Sequence, residues 1–142
     1  MKTILAEKQA HFIDALTIRT LVFIGEQDVP VWEEIDDYDR FVPLFVIYEG
    51  NRALGTARII PKEKGIYKIG RVAIRQEARS RGVGKKLMQD VMNYIKKETM
   101  AKEICLDAQL TAVPFYEKLG FNVYGEVFQD AGIDHISMSY KG

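Results

Sequence analysis

A glycine-rich basic segment, from Arg79 to Gly84, carries the clearest chemical signal in this sequence. Glycine has no Cβ, so the backbone around Gly82 and Gly84 can approach a ligand closely. The segment opens a predicted helix, whose first turn presents unpaired N–H groups and the positive end of the helix dipole. Such a turn is suited to a phosphate or pyrophosphate. A tight turn with solvated basic side chains is the alternative interpretation.

Two other phosphate-binding patterns fit this segment less well. A Walker loop needs Ser or Thr after its Gly-Lys pair, and here Lys86 follows Gly84 and Lys85. A dinucleotide fingerprint needs a third glycine, and Leu87 stands at that position. The segment therefore predicts an anion site that belongs to neither pattern.

Tyr116 is the second candidate for chemistry. It lies in a short predicted helix over residues 112–119, in which Phe115 and Leu119 are one turn apart and pack inward. A tyrosine hydroxyl has an ordinary pKa of about 10, so it can donate a proton to a leaving group near neutral pH. The alternative is a tyrosine that only packs at the edge of a helix.

The elements that must position these residues follow an α+β order. An acidic stretch over residues 33–39 is predicted to form a loop or short helical turns, and an apolar stripe from Val83 onward predicts an amphipathic helix. The first helix is predicted from the helical spacing of Phe12, Ile13, Leu16, Thr20 and Phe23. Strands are predicted over 2–6, 44–48, 53–60, 66–74, 103–108, 121–128 and 133–140.

The composition excludes several classes of protein. The 142 residues are 47% apolar and carry zero formal charge, which indicates one globular domain over 1–142 and argues against nucleic acid or an anionic membrane as the partner. A lone Cys105, the lack of a signal-like start and the lack of a long apolar run predict a cytoplasmic protein, with Cys105 as an inert thiol. His11 and His135 lack metal-ligand spacing, so no metal is predicted.

Three segments together resemble the GNAT superfamily of CoA-dependent N-acetyltransferases. They are Val72-Ala73-Ile74, then Arg79-x-x-Gly82-x-Gly84, then Phe115-Tyr116-Glu117-Lys118-Leu119-Gly120-Phe121. Their order and spacing are those of the family, and the joint match is more specific than either motif alone. The resemblance implies an α+β fold with a mixed, mostly antiparallel sheet of roughly six to seven strands and about four flanking helices. Its fourth and fifth strands would splay apart to admit the coenzyme.

The resemblance also implies roles for individual residues, with acetyl-CoA as the co-substrate. Tyr116 would protonate the departing thiolate. Many members carry Asn where Thr111 stands, and Gln109 is the candidate to replace it as a polar contact. The backbone of Val72, Ala73 and Ile74 would hold the pantetheine arm, Arg79 opens the pyrophosphate motif, and the N–H groups of Arg81, Gly82, Val83, Gly84 and Lys85 would bind the pyrophosphate.

The first half of the chain resembles a bacterial subgroup, the YjcF/ElaA-type acetyltransferases. The similar residues are Arg19 to Phe23, Glu26-Gln27, Val29-Pro30, Glu33-Glu34 and Asp36 to Asp39. Residues 104–108, with Phe115-Tyr116, are also similar to glucosamine-6-phosphate N-acetyltransferases. The sugar-phosphate contacts of that second family are not evident in this sequence.

The implied reaction is direct attack of an acceptor amine on the thioester, in which the enzyme mainly positions the reactants and stabilises the oxyanion. The amine must first lose a proton, and the sequence offers Glu26, Glu34, Asp36, Asp37 and Asp107 as acceptors, of which Glu26 and Asp107 are assigned as catalytic. Glu34 and Asp36 are also assigned to a cationic acceptor, although a solvated acidic loop is the alternative. Arg19 is either a substrate contact or a structural ion-pair partner.

Two other functions remain compatible with the sequence. One is a non-catalytic acyl-CoA sensor on the same fold, against which Tyr116 counts. The other is an RNA- or protein-binding module, against which the zero net charge counts. The acceptor is predicted to be an amine of a small molecule or a protein, and the chain to be a monomer or homodimer.

Overall fold

A seven-stranded sheet organises the chain. The computed structural model describes residues 1–141. Its strands are β1 (Lys2–Leu5), β2 (Leu44–Glu49), β3 (Arg52–Pro61), β4 (Ile66–Ile74), β5 (Glu103–Gln109), β6 (Asn122–Asp130) and β7 (Ile133–Tyr140). Its α-helices are α1 (Gln9–Arg19), α2 (Val31–Glu34), α3 (Val83–Glu98) and α4 (Val113–Glu117). The strand order is β1-β2-β3-β4-β5-β7-β6.

The parallel pairing of β4 with β5 is short. It runs from the Ile66–Glu103 pair to the Lys68–Cys105 pair, whereas β4 continues to Ile74. All other neighbouring strands are antiparallel. Beyond Lys68 the two parallel strands separate, which confirms the expected splay and leaves a gap in the middle of the sheet. Because backbone groups left unpaired in this gap need other partners, the gap is a natural ligand site.

Helix α3 covers one face of the sheet. Its apolar stripe is fully buried, and residues from β3, β4 and β5 pack against it. Gly82 precedes the helix with φ +78°, a left-handed conformation that favours glycine. Lys96 and Lys97 lie in the last turn, where positive charge complements the helix dipole. The buried residues of α3 are Val83, Leu87, Met88, Val91, Met92 and Ile95.

Helix α1 covers the opposite face and continues as a π-helical segment, Thr20–Glu26. Its buried contacts come from Ala15, Ile18 and Val22. The stripe predicted from sequence was therefore wrong in part, since Ile13 is 56% exposed and Thr20 is also exposed. The face that meets the sheet is instead the one that carries Ala15, Ile18 and Arg19.

The other predicted elements are confirmed, with shifted ends. The acidic stretch forms α2 and a 3-10 turn, Asp37–Arg40. The helix predicted over 112–119 divides into a 3-10 turn, Leu110–Ala112, followed by α4. Among the described residues, no helix is long and apolar enough to cross a membrane.

A buried ion cluster joins α1, α2 and the 3-10 turn to β3 and β4. Arg19, which is 0% exposed, donates from Nε to Glu34 Oε2 at 2.7 Å and from Nη1 to Asp39 Oδ1 at 2.6 Å. Arg58 donates from Nη1 to Asp36 Oδ1 at 2.7 Å and to Asp39 Oδ1 at 3.0 Å. The ion cluster consists of Arg19, Arg58, Arg71, Glu34, Asp36 and Asp39.

Burial and the neighbouring guanidinium groups shift the pKa values of the acids in this cluster in opposite directions. Burial works to raise the pKa of Asp39, but the hydrogen bond and charge of Arg19 outweigh it and hold the pKa below its ordinary value. For Glu34 burial prevails over Arg19 and Arg71, and the pKa is raised. Since a buried charge is stable only when paired, the cluster fixes the acidic stretch to the sheet.

The opposite edge of the sheet is formed by β6, which is exposed along its whole length. Its pairing with β7 is regular at both ends and interrupted between Tyr124 and Phe128. Gly125 lies within this irregular part and has φ +76°. The strand therefore contains a bulge at its centre.

The buried cluster yields a prediction about stability. Replacing Arg19 with Met leaves Glu34 and Asp39 with fewer cationic partners in a buried setting, so we expect the free energy of unfolding to fall by about 3 kcal/mol. Arg52→Met is the matched control, because Arg52 pairs with Glu77 on the surface and exposed pairs contribute little. Urea unfolding measures both. Equal losses in the two variants would contradict the role given to the cluster.

Candidate active site

A cleft of about 810 Å³ lies where β4 and β5 separate. At one end it is lined by the start of α3 and the loop before it, including Ser80, Gly82 and Lys85. Val72 and Ala73 of β4 and Tyr116 of α4 line its middle. Side chains of α2, β5 and β7 line the other end, among them Glu33, Glu34, Asp107 and His135. The cleft thus joins a basic end to an end rich in carboxylates.

The basic end is a cradle of backbone N–H groups. Ser80 and Gly82 both have positive φ, +63° and +78°, which curls the chain before α3. The first helical bond runs from Lys86 N to Gly82 O at 3.0 Å. The N–H groups of Val83, Gly84 and Lys85 therefore have no helical partner and are free to bind an anion.

Gly84 has a separate packing role in this cradle. A Cβ at Gly84 would lie 3.3 Å from Phe115 Cζ and 3.7 Å from Ile74 Cγ1. A Cβ at Gly82, by contrast, would meet no atom within 4 Å. Gly84 therefore lets α3 approach α4, whereas the space beside Gly82 is open.

The basic side chains around the cradle differ in whether they form ion pairs within the protein. Arg79 Nη2 lies 2.7 Å from Glu26 Oε1, and Arg81 Nη2 lies 2.9 Å from Glu49 Oε2. Arg81 is not part of the cleft lining. Lys85 lines the cleft, and among residues 1–141 no carboxylate pairs with it. Its charge is therefore the most available to a ligand.

A bulge in β4 shapes the middle of the cleft. Thr56 pairs with Ala73 and Arg58 with Gly70, so Arg71 and Val72 stand together opposite Ala57. Arg71 adopts φ +49°, which is unusual for a residue with a side chain. Bulges re-aim the backbone and interrupt pairing. Val72 is thereby left without a partner in the ladder at the level of the cleft, whereas the next residue, Ala73, pairs again with Thr56.

Arg71 anchors this bulge to the ion cluster. Its Nε lies 3.1 Å from Glu34 Oε2, and its Nη2 lies 3.2 Å from the carbonyl oxygen of Glu33 and 3.3 Å from Asp36 Oδ2. These contacts cross from β4 to α2. They hold Arg71 in a conformation that costs free energy by itself.

Tyr116 is almost fully buried, with its ring packed edge-on against Phe115 and Phe121 at centroid distances of 5.0 and 6.1 Å. It is 9% exposed and borders the cleft. Burial raises the pKa of Tyr116 to about 12. The hydroxyl consequently stays protonated near neutral pH and is available as a proton donor, although the raised pKa makes it a weaker acid than an ordinary tyrosine.

The carboxylates predicted as bases lie in different settings. Glu26 pairs with Arg79 and does not line the cleft. Asp107 lines the cleft and accepts from Lys68 Nζ at 2.7 Å and Ser137 Oγ at 2.9 Å. Burial acts to raise the pKa of Asp107, but these two hydrogen bonds and the charge of Lys68 prevail and lower it. A lowered pKa weakens Asp107 as a proton acceptor.

The predicted substrate-binding residues belong to the ion cluster. Arg19 is buried and absent from the cleft lining, as is Asp36. Glu34 reaches the lining but is 3% exposed. Of the two roles left open for Arg19, the geometry favours the structural ion pair. Gln109, the predicted polar contact, lines the cleft and donates to Gln27 Oε1 at 2.9 Å.

Sequence reasoning missed part of the acidic end. Lys68 and Ser137 were not singled out, and His135 was considered only as a metal ligand. The alternation of side chains along a strand could have indicated this part of the cleft, because it places Asp107 and Gln109 on one face of β5. Cys105 shares that face, where burial raises the pKa of its thiol. In the described part of the chain, no group of His, Cys, Asp and Glu is arranged to hold a metal ion.

Comparisons with known proteins agree with this architecture. The model of the acetyltransferase (GNAT) domain matches residues 30–141. The uncharacterized N-acetyltransferase YjcF of Bacillus subtilis (strain 168) is 37% identical over 139 residues, covering 97% of this chain and 98% of YjcF. Protein ElaA of Escherichia coli (strain K12) is 30% identical over 128 residues, covering 87% of this chain and 83% of ElaA.

Solved structures share the fold over nearly the whole chain. An acyl-CoA N-acyltransferase from Pseudomonas aeruginosa has a TM-score of 0.88 at 24% identity, with 99% of each chain covered. A GNAT family acetyltransferase from Elizabethkingia anophelis, solved with acetyl-CoA bound, has a TM-score of 0.75 at 16% identity, covering 99% of this chain and 97% of that one.

The fold and its cleft define an acyltransferase that uses an acyl-CoA donor. Because the family model covers most of the chain and full-length relatives exceed 30% identity, the chain belongs to the GNAT acetyltransferase family. The YjcF/ElaA-type resemblance read from the first half of the sequence is confirmed.

The bulge at Arg71 yields a second prediction. Arg71→Gly and Arg71→Ala both remove the guanidinium, but only alanine retains a Cβ that disfavours positive φ. We expect the glycine variant to be about 1 kcal/mol more stable than the alanine variant. Thermal or urea unfolding of the two proteins measures this difference. A more stable alanine variant would show that the backbone at this position does not need the left-handed conformation.

Proposed function

We propose that the protein transfers an acetyl group from acetyl-CoA to a primary amine by direct attack. One observation carries the proposal: the N–H cradle at the start of α3, the bulged β4 and the hydroxyl of Tyr116 border a single cleft. The neighbour from Elizabethkingia anophelis, with acetyl-CoA bound in its crystal structure, supports the donor. The names of YjcF and of the Pseudomonas aeruginosa enzyme support transfer to nitrogen.

Residues at the basic end and the middle of the cleft fit the donor. The N–H groups of Val83, Gly84 and Lys85 would bind the pyrophosphate, and the space beside Gly82 leaves room for it. Lys85 adds an uncommitted charge, whereas Arg79 and Arg81 contribute to the positive field while paired with Glu26 and Glu49. The backbone of Val72, Ala73 and Ile74 would hold the pantetheine arm in the gap between β4 and β5.

Tyr116 is proposed as the general acid. Its hydroxyl is protonated near neutral pH and its raised pKa makes it a weak acid, but a thiolate whose thiol has an ordinary pKa of about 8.5 needs only modest help to leave. The backbone N–H groups at the bulge would stabilise negative charge on the carbonyl oxygen. Each group therefore acts at a different atom of the thioester.

The acidic end is proposed to receive the acceptor. Glu33, Glu34, Asp107 and Asp130 line this part of the cleft. Glu34 and Asp107 are paired with Arg71 and Lys68, so Glu33 and Asp130 carry the negative charge that is not balanced by an ion pair among residues 1–141. A concentration of carboxylates attracts a protonated amine and raises its local concentration. This supports a cationic acceptor, either a small molecule or an accessible amine of a protein.

Lys85 provides a test of donor binding. We expect Lys85→Ala to weaken CoA binding roughly three- to tenfold at low ionic strength, with a smaller effect at high salt. Lys86→Ala is the control, since Lys86 Nζ is held 3.0 Å from Asp90 Oδ2. Titration calorimetry with CoA measures both variants. Equal weakening in both would contradict the assignment of Lys85 to the pyrophosphate.

Tyr116 provides a test of chemistry. Tyr116→Phe keeps the ring packing but removes the proton donor, so we expect kcat to fall about 10- to 100-fold, with CoA affinity unchanged. Tyr38→Phe is the control, because Tyr38 is 49% exposed and lies outside the cleft lining. The assay follows thiol release from acetyl-CoA across a library of amines. Unchanged turnover in the Tyr116 variant would remove the acid role, and CoA binding without turnover on any amine would favour a sensor.

A further inference from the structure

The floor of the acidic end is a polar patch made by two antiparallel strands. Asp107 of β5 pairs with Ser137 of β7, and Gln109 pairs with His135. Paired residues on antiparallel strands point to the same face, and so do residues two apart in one strand. These four side chains therefore share one face of the sheet, and Lys68 joins them through its ion pair with Asp107.

His135 is held in a defined orientation within this patch. It is 9% exposed, and its ring stacks on Phe128 with an interplanar angle of 25° and a centroid distance of 5.9 Å. Its Nδ1 lies 2.7 Å from the carbonyl oxygen of Ile133. A carbonyl oxygen can only accept, so Nδ1 carries the proton in the neutral ring.

This hydrogen bond fixes the tautomer of the neutral ring. With the proton on Nδ1, Nε2 carries a lone pair and is able to accept a proton. Among residues 1–141 the ring forms no other hydrogen bond and no ion pair. His135 also borders the same cleft as Tyr116 and the bulge of β4. Nε2 of His135 therefore has no protein partner among residues 1–141, on a side chain that borders the acidic end of the cleft.

The charged groups around His135 do not compete for this role. Asp107 on β5 is committed to Lys68 from β4 and to Ser137. The charge of His135 contributes to lowering the pKa of Asp107, after the larger effects of Lys68 and Ser137, so the two side chains are close. Asp130, the last residue of β6, lines the same cleft. Glu26 faces Arg79 and lies outside the lining.

We infer that Nε2 of His135 is the general base that takes a proton from the acceptor ammonium group. This inference rests on the proposed acetyl transfer. Once neutral, the nitrogen attacks the thioester carbonyl carbon, a C–N bond forms and the C–S bond breaks. The thiolate takes the proton of the Tyr116 hydroxyl. The acceptor nitrogen then loses a second proton, which reprotonates Tyr116. The products are an amide, the free thiol and one proton, which passes from His135 to solvent.

The Lys68–Asp107 pair has a consequence for this step. Because these opposite charges are 2.7 Å apart, they present little net charge to an arriving ammonium group. The remaining carboxylates at this end, Glu33 and Asp130, attract the ammonium toward the patch. In this scheme Glu33 and Asp130 attract the ammonium group, and a different residue, His135, removes its proton.

The test compares His135→Gln with His11→Gln. The chain has two histidines, and His11 accepts hydrogen bonds from the backbone at the start of α1, away from the cleft lining. With a strongly basic alkylamine at pH 7, we expect His135→Gln to lower kcat about 100-fold, while His11→Gln leaves it unchanged. CoA affinity, measured by calorimetry, should be unchanged in both.

Two further readouts separate a base from a structural residue. The loss of kcat in His135→Gln should disappear with a weakly basic arylamine, which arrives neutral. It should also shrink as the pH rises toward the pKa of the alkylammonium group, because more of that amine then arrives neutral. Nitrogen NMR of the wild-type protein without ligand should show the neutral His135 ring protonated at Nδ1. That measurement does not require the variant to fold.

The outcomes distinguish the two levels of the argument. An equal loss with both amines, a loss of CoA affinity in His135→Gln or a neutral ring protonated at Nε2 would each overturn the role of His135. If the wild-type enzyme acetylates no amine, the proposed function fails, and the general base falls with it.

Discussion

The bulge in β4 and the buried guanidinium groups beside it are the constraint on which the rest of the cleft depends. Arg71 takes a backbone conformation that L-residues avoid, and contacts to Glu34, Asp36 and the carbonyl of Glu33 hold it there. The bulge takes Arg71 and Val72 out of the regular ladder with β3, just beyond the point where β4 leaves β5. The acidic stretch thus holds the bulged part of β4 in place.

The two ends of the cleft use electrostatics in opposite ways. At the start of α3, the peptide dipoles and Lys85 provide positive potential without a deeply buried charge. At the other end, carboxylates line the wall while the floor is neutralised by the Lys68–Asp107 pair. In the proposed reaction, an anionic donor and a cationic acceptor would thereby be directed to different ends of the cleft.

The sequence predicted the local features well because they depend on local physics. The glycine pattern from Gly82 to Gly84 and the apolar stripe of α3 follow from backbone freedom and helical period, and the structure agrees with both. Roles that depend on contacts between distant segments could not be predicted from the sequence. Arg19 meets Asp39 across the acidic turn, and His135 meets Gln109 across two strands. Neither partner is readable from spacing along the chain.

The interruption in β6 has a consequence for how the protein behaves in concentrated solution. An exposed edge strand offers unpaired backbone groups to another chain and invites fibrillar growth. Between Tyr124 and Phe128 the ladder loses its regular spacing, and Gly125 reverses the usual sign of φ. An incoming strand would find only short matching runs on either side. The bulge in β6 therefore disfavours edge-to-edge pairing of this side of the sheet with another chain.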